Sequence, residues 1–468
     1  MPGLPINPPA GPFGPDGLAL PTGGAGNDVF AIAGFGISHI PSSLPVIDGQ
    51  GGSDTIDFSA FRPGTAGAGI VVTAGASGLE IRPGTGQDVA ALATGIEHVI
   101  GSDYADDIAA GAGVSSLLGG GGDDILRGAA GVSLDGGSGN DRYVVGDHLP
   151  TLINDTGGGT DTVDLSQLGH GVNVDFITGQ ITAGLEHASV ANVERVITTQ
   201  FGDFLLGGDG NDAFEDRGGS DQYRGGLGSD VVSYATDSPG GAGHGVIANL
   251  ATGWAIDRSG VADRLESIES LVLGNGNDFA IGNEASNGMA GGAGNDSLVG
   301  GRGSDYIQGG AGNDVIFGSD FAGANNAAVD FDVLFGGDGD DLIMAGFGAS
   351  ANMAGGAGAD ALWGGDFADT IVMGSGHDIA VGLGGNDRFV VSEAMTAGDW
   401  SYIADFNDNA WSNAPDTIVL PTAVQGHVSV TDIAGGAWIG VTLDGGGWYG
   451  IMVANMTAAG MADQLMFA

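Results

Sequence analysis

The sequence contains no cysteine and no lysine. Without cysteine the chain can form neither disulfides nor thiolate metal centres, and cysteine nucleophiles are excluded with them. All 11 basic residues are arginines, set against 58 acidic residues, for a net charge of −47. So large an excess excludes nucleic acid and anionic membrane as primary partners, and it repels the chain from itself unless a cation neutralises it. No apolar run reaches the length of a membrane span, so none is expected. The first basic residue is Arg62, and the opening MPGLPINPPAGPFGPDGLALP has no cationic start and no apolar core, so a cleavable Sec signal is not expected. Histidine is scarce at 8 copies, and these form no HExxH pair. With no GxSxG elbow either, a zinc protease and a serine-nucleophile lipase are both disfavoured.

What the chain has in abundance is glycine, 95 residues, together with 42% apolar residues, enough for a core once the charge is screened. The glycines are periodic. GGAGNDSLV, GGRGSDYIQ and GGAGNDVIF, at 291–317, share paired glycines, aspartate at the sixth place and an apolar residue at the eighth. This frame divides 273–353 without insertion; Ala354 is one extra residue, and the frame resumes over 355–390. Three more frames fill 207–233, with patches at 23–31, 101–109, 119–127 and 136–144. A short fixed period of this kind signals a solenoid.

Each place has a physical task. Glycines allow positive φ and close backbone approach, so six residues can curl into a loop with inward carbonyls. Places seven to nine alternate as a very short strand whose eighth residue faces the core. Two frames then make one 18-residue coil, and aspartates 18 apart face each other on adjacent coils. Carboxylate and carbonyl oxygens without sulfur suit a hard cation, calcium. The repeat resembles the RTX, or haemolysin-type calcium-binding, family, for which this nonapeptide is a known signature. The resemblance implies an all-β fold, a parallel β-roll with calcium between its loops, and export of the unfolded chain by a type I secretion system.

Counting by 18 places Asp278, Asp296, Asp314 and Asp332 on one face. Asn287, Asp305, Gly323 and Asp341 then fall on the other, whose ladder is interrupted at Gly323, where metal is expected to be weak or missing. Beyond Ala354, Asp341, Asp360 and Asp378 share one face and Asp369 and Asp387 the other. Asp106/Asp124, Asp124/Asp141, Asp203/Asp221 and Asp212/Asp230 complete a set of about ten paired calcium sites. Asp28, Asp54 and Asp161 are further candidates, with turn formation the competing role for isolated Asp28 and Asp54.

A longer repeat surrounds the gaps. GGSDTIDFS, GGTDTVDLS and GLGSDVVSY each precede an alternating stretch that closes on GIEHVIGSDYADDI, NVERVITTQFGDFL or SIESLVLGNGNDFA. These are expected to be β-hairpin insertions that leave the roll and re-enter it. The reading is therefore a Pro/Gly-rich arm over 1–22, three modules with β insertions over 23–282, a regular roll over 273–390, and a β-rich C-terminal cap over 391–468. That last segment is similar to the signal recognised by type I exporters. Trp400, Trp411, Trp438 and Trp448 are expected in cap packing, with a sugar platform as the other use. His377, at a loop place otherwise filled by Asn or Ser, is expected to be a surface residue. The function expected is a secreted, calcium-dependent structural, surface-layer, matrix or adhesion protein without enzymatic activity. Its partners would be calcium, the secretion machinery, and either itself or a cell-surface polysaccharide. The alternative is a secreted polysaccharide-modifying enzyme, or its targeting module, with an active site in the insertions.

Overall fold

A computed structural model describes residues 22–32, 46–62, 68–84, 89–236, 245–319, 330–346, 348–392, 395–406, 415–424, 427–443, 447–461 and 464–467. Of the N-terminal arm only Thr22 falls among them, bridging Asp48. The chain forms two compact units, Met1–Gly228 and Ser229–Ala468. Each is a roll of parallel three- to ten-residue strands arranged as two sheets.

The short strands follow from the period. In Tyr306–Ala311 the burial alternates, and Ile307 at the eighth place is fully buried while Tyr306 is exposed. Along the second unit the fully buried line runs Leu298, Ile307, Ile316, Leu334, Ile343, Met353 and Leu362. Each such side chain contributes roughly 1.5–3 kcal/mol by leaving water, which no three-residue strand could gain alone.

That line corrects the sequence frame twice. In the described line Ile316 is followed by Leu334, and the strands pair Tyr306↔Val333 and Val315↔Leu342, 27 residues apart instead of 18, with 320–329 between them outside the described residues. Gly323 itself lies outside the described residues. The single extra residue is not Ala354, which pairs with Phe335. It lies in the loop between Ile343 and Met353, which are ten apart instead of nine.

The insertions are three-stranded antiparallel meanders, each two β-hairpins in succession. In the first unit, Ile70–Gly75, Gly78–Pro83 and Ala91–Thr94 stand between Val46–Asp48 and Asp107–Ala109. Asn173–Asp175, Gln180–Ala183 and Glu186–Ala191 stand likewise between Leu152–Asn154 and Phe204–Leu206, in the opposite sheet. In the second unit, Ile247–Asn249, Trp254–Ile256 and Ala262–Glu266 form a third. The C-terminal end is covered by the meander Val428–Ile433, Gly436–Thr442 and Trp448–Ala454, and by Leu465–Phe467 paired on Thr417–Leu420. These additions cover strand edges that a bare roll would expose. Trp438 packs edge-on against Trp448, yet Trp448 and Trp400 remain exposed; Trp411 lies outside the described residues.

The outward faces differ between the units. In the first, neighbouring coils carry the ion pairs Arg127–Asp107, Arg142–Asp164 and Arg195–Glu215 at 2.9, 2.6 and 2.6 Å. In the second, the sheet containing Phe279–Ile281 sets apolar side chains side by side, with the register Phe279↔Ser297↔Val315↔Leu342↔Ala361↔Ile379.

Candidate metal centres

Most described loops turn the sixth-place aspartate inward, where one oxygen accepts the backbone N–H of the sixth-place residue on the preceding coil. In the second unit Asp278 donates in this way to Asp296 Oδ1, Asp296 to Asp314, Asp314 to Asp341, Asp341 to Asp360 and Asp360 to Asp378, at 2.8–3.2 Å. Ser401 Oγ ends this ladder 3.5 Å from Asp378 Oδ2. The opposite ladder joins Asp230 to Glu269, Asn287 to Asp305 and Asp305 to Asp332. It continues with Ala351 to Asp369, Asp369 to Asp387 and Asp387 to Asp416.

Asp332 is therefore the neighbour of Asp305, not of Asp314, and Asp341 continues the ladder of Asp314. The ladder is continuous across the expected break at Gly323: the Asp305 N–H donates to Asp332 Oδ1 at 3.0 Å, 27 residues on. The missing carboxylate is at Ala351, between Asp332 and Asp369.

In the first unit Asp106, Asp124, Asp141, Asp161 and Glu194 form one ladder, with N–H···O distances of 2.7–2.9 Å. Asp28, Asp54 and Glu97 form a second, both steps at 2.8 Å, so the two isolated candidates stand together. Asp203 and Asp221 form a third step at 2.7 Å. Asp212 accepts Gly208 N–H of its own loop; it belongs to the first unit and its expected partner Asp230 to the second.

Three glutamates join the ladders outside the nonapeptide frame. Glu97, Glu194 and Glu269 accept from Asp54, Asp161 and Asp230 after each meander. Their signal was present, since each is the only acidic residue in GIEHVI, NVERVI and SIESLV. The aspartates nine residues further on, Asp106, Asp203 and Asp278, belong to the other ladder and accept from Ile70, Val172 and Val246. A second unforeseen ladder follows the fifth place, where Asn277 accepts from Asn295, Asn295 from Asn313 and Asn313 from Asp340.

The oxygens left over define the chemistry. Oδ2 of Asp54, Asp124, Asp141, Asp161, Asp278, Asp296, Asp305, Asp314, Asp332, Asp341, Asp360 and Asp387 is buried with no hydrogen-bond donor. Where no carboxylate precedes in the ladder, the loop tends to close on itself. Asp28, Asp106, Asp203 and Asp369 accept a backbone N–H four residues back, and Asn287 does so through its amide oxygen. Asp278, preceded by Val246, departs from this pattern. A buried carboxylate oxygen with no partner costs several kcal/mol unless a cation or proton meets it.

The loops leave room for the cation. A β-carbon at Gly291 would collide with Asp296 Oδ2 and the Gly309 carbonyl, and one at Gly336 with Asp341 Oδ2 and the Gly355 carbonyl. At Gly310 φ is 117°, and a side chain would meet the Gly292 carbonyl of the previous coil. Carboxylates and glycine carbonyls thus converge on one space, a donor set of oxygens alone that fits calcium.

Without a cation these carboxyls keep their protons to higher pH than a free aspartate does. Burial, reinforced by neighbouring aspartates, pushes Asp124 and Asp387 up to about 8 and Asp296, Asp305 and Asp360 to about 7. Asp141, Asp161, Asp332 and Asp341 rise to about 6 for the same reason. Asp141 and Asp161 also meet Asp155, a buried residue outside the nonapeptide frame, to make a group of three carboxylates. Asp155 is oriented by the hydroxyl of Tyr143 at 3.1 Å and by Gly158 N–H at 2.8 Å.

The break at Ala351 gives a gain-of-site test. Ala351→Asp should restore a continuous ladder from Asp305 to Asp416 and raise the calcium bound per chain by about one to two ions. Equilibrium dialysis of the folded chain measures this directly, and unchanged stoichiometry would contradict the ladder.

Comparison with known families agrees with this register. The RTX calcium-binding nonapeptide repeat (4 copies) matches residues 100–132, 197–232, 267–298, 290–322, 329–350 and 354–389, with no match over 323–328. No curated protein matches the chain. With its glycine loops, aspartate ladders and parallel strands in one period, the chain carries RTX calcium-binding nonapeptide repeats across residues 100–389.

Proposed function

We propose that the protein is exported unfolded, folds on calcium outside the cell, and serves there as a structural component of a surface layer, matrix or adhesive coat, without catalytic activity. The observation that supports this is the extent of the ladders: carboxylate steps recur from Asp28 to Asp416, so calcium sites make up the body of the described chain instead of decorating another domain. Low cytosolic calcium leaves the carboxylates repelling one another during transit through a type I exporter, and millimolar external calcium draws the loops together. The C-terminal strands after Trp400 would serve both as exporter signal and as cap.

Electron microscopy before and after calcium addition tests the structural role. Calcium is expected to convert a featureless chain into sheets or filaments at concentrations where EGTA-treated samples show none. Solitary particles at every concentration would sink the assembly reading. A cell-surface polysaccharide would remain as the adhesive partner, to be tested by co-sedimentation.

A further inference from the structure

The second unit presents a face that its own folding does not require. On six consecutive strands of one sheet, Phe279–Ile281, Ser297–Gly301, Val315–Ser319, Leu342–Met344, Ala361–Trp363 and Ser375–Val381, the core is filled by Ala280, Leu298, Ile316, Ile343, Leu362 and Ala380. The flanking side chains point outward in two register-matched rows, and among them Ser297 alone is polar and none is charged. Exposed Ile247, Trp254 and Ile256 continue the face at one end, interrupted by Asn249 and by the Arg264 guanidinium over the Trp254 ring, and half-buried Tyr402, paired with Ile379, continues it at the other, with exposed Trp400 beside His377. Scattered exposed apolar residues are ordinary, but six neighbouring strands whose outward rows carry no charge are not. The repeat does not impose it, since the first unit fills equivalent outward places with the Arg127–Asp107, Arg142–Asp164 and Arg195–Glu215 pairs.

We propose that this face docks a second copy of the chain, sheet against sheet. Charge selects the place: copies that each carry −47 repel wherever acidic surfaces meet, and an uncharged face lets them approach. Size permits it. Nine strands spaced about 4.8 Å apart, with two side-chain rows about 13 Å across, offer roughly 500 Å² per copy, or about 1,000 Å² between two, the lower limit of a specific interface. Shape favours it too, because both copies present the same inter-strand repeat and their rows can interdigitate at the usual sheet-stacking distance of about 10 Å about a two-fold axis. The pairing rests on the assembly role proposed above and identifies the surface that begins it.

The test is sedimentation velocity on the full chain in calcium, for the parent and for Leu342→Asp and Val299→Asp, with circular dichroism confirming that each remains folded. The parent is expected to dimerise or grow larger in the micromolar range, and the variants to shift at least tenfold towards monomer. A monomeric parent would overturn both the pairing and the assembly role. Assembly that survives both substitutions would overturn the pairing alone and leave the role standing. If the aspartate variants do not fold, Val299→Cys supplies a second measurement, since the chain has no other cysteine. A short bis-maleimide should then link copies in calcium and not in EGTA, and failure to link would reject this face.

Discussion

In EGTA at pH 7.5 the chain is expected to lose most of its β-sheet circular dichroism, and acidification towards pH 5 is expected to recover a substantial part of it without calcium. The sign follows from the direction of the shifts. Burial raises Asp124 and Asp387 to about 8 and Asp296, Asp305 and Asp360 to about 7, from an unfolded value of 3.8. A group whose pKa is raised by folding stabilises the fold when protonated. Its contribution is complete below the unfolded value and is lost as pH rises through about 6 to 8. The metal-free roll is therefore weakest at neutral pH and above, where calcium must replace the missing protons. Within the folded roll protons and calcium compete for the same oxygens, so at a given calcium concentration fewer ions should be bound as pH falls from 8 to 6, while less calcium should be needed to fold the chain. A metal-free spectrum that is fully folded at pH 7.5, or one that acid cannot restore, would show that the orphaned oxygens do not control folding.

The two-sheet roll and the sixth-place aspartates were legible because a nine-residue period states a fold several times over. Register was legible only where every place of the frame agreed. Counting glycine and aspartate alone accepted 318–326 as a frame, although its eighth residue is Asn325, which cannot fill the apolar line between Ile316 and Leu334. The same test would have flagged 345–353, whose eighth place is Asn352 while the buried residue is Met353. The core, not the loop, sets the register, since a buried place cannot accept an amide cheaply and a loop can accept an extra residue. The glutamates at 97, 194 and 269 were hidden for another reason. The meander preceding each has its own strand pairing and length, so the distance from Asp54, Asp161 or Asp230 to its partner follows no fixed count. Asp155 lay outside any period, and only the coil geometry brings it to Asp141 and Asp161.

Asp314→Ala is expected to reverse its effect with the metal. Asp314 stands in the middle of the longest ladder, accepting from Asp296 and donating to Asp341, so it borders two cation positions. With calcium at about 100 times its dissociation constant, each lost ion removes about 2.7 kcal/mol, so the variant should unfold about 5 kcal/mol more easily and bind fewer ions. The lost buried N–H acceptor for Asp296 adds to this cost. In EGTA the balance changes. The substitution removes a buried carboxyl whose pKa burial has already raised and relieves the charge felt by Asp296 and Asp341, so the metal-free chain should be no less stable than the parent at pH 7.5. Asp314→Asn separates the two contributions: it retains an oxygen for the Asp296 N–H but weakens the cation site, and should fall between parent and alanine variant in calcium. Thermal melts of the three proteins with and without calcium measure the reversal. An equal loss in both conditions would make Asp314 a packing residue, and the ladder would then be a device of backbone geometry alone.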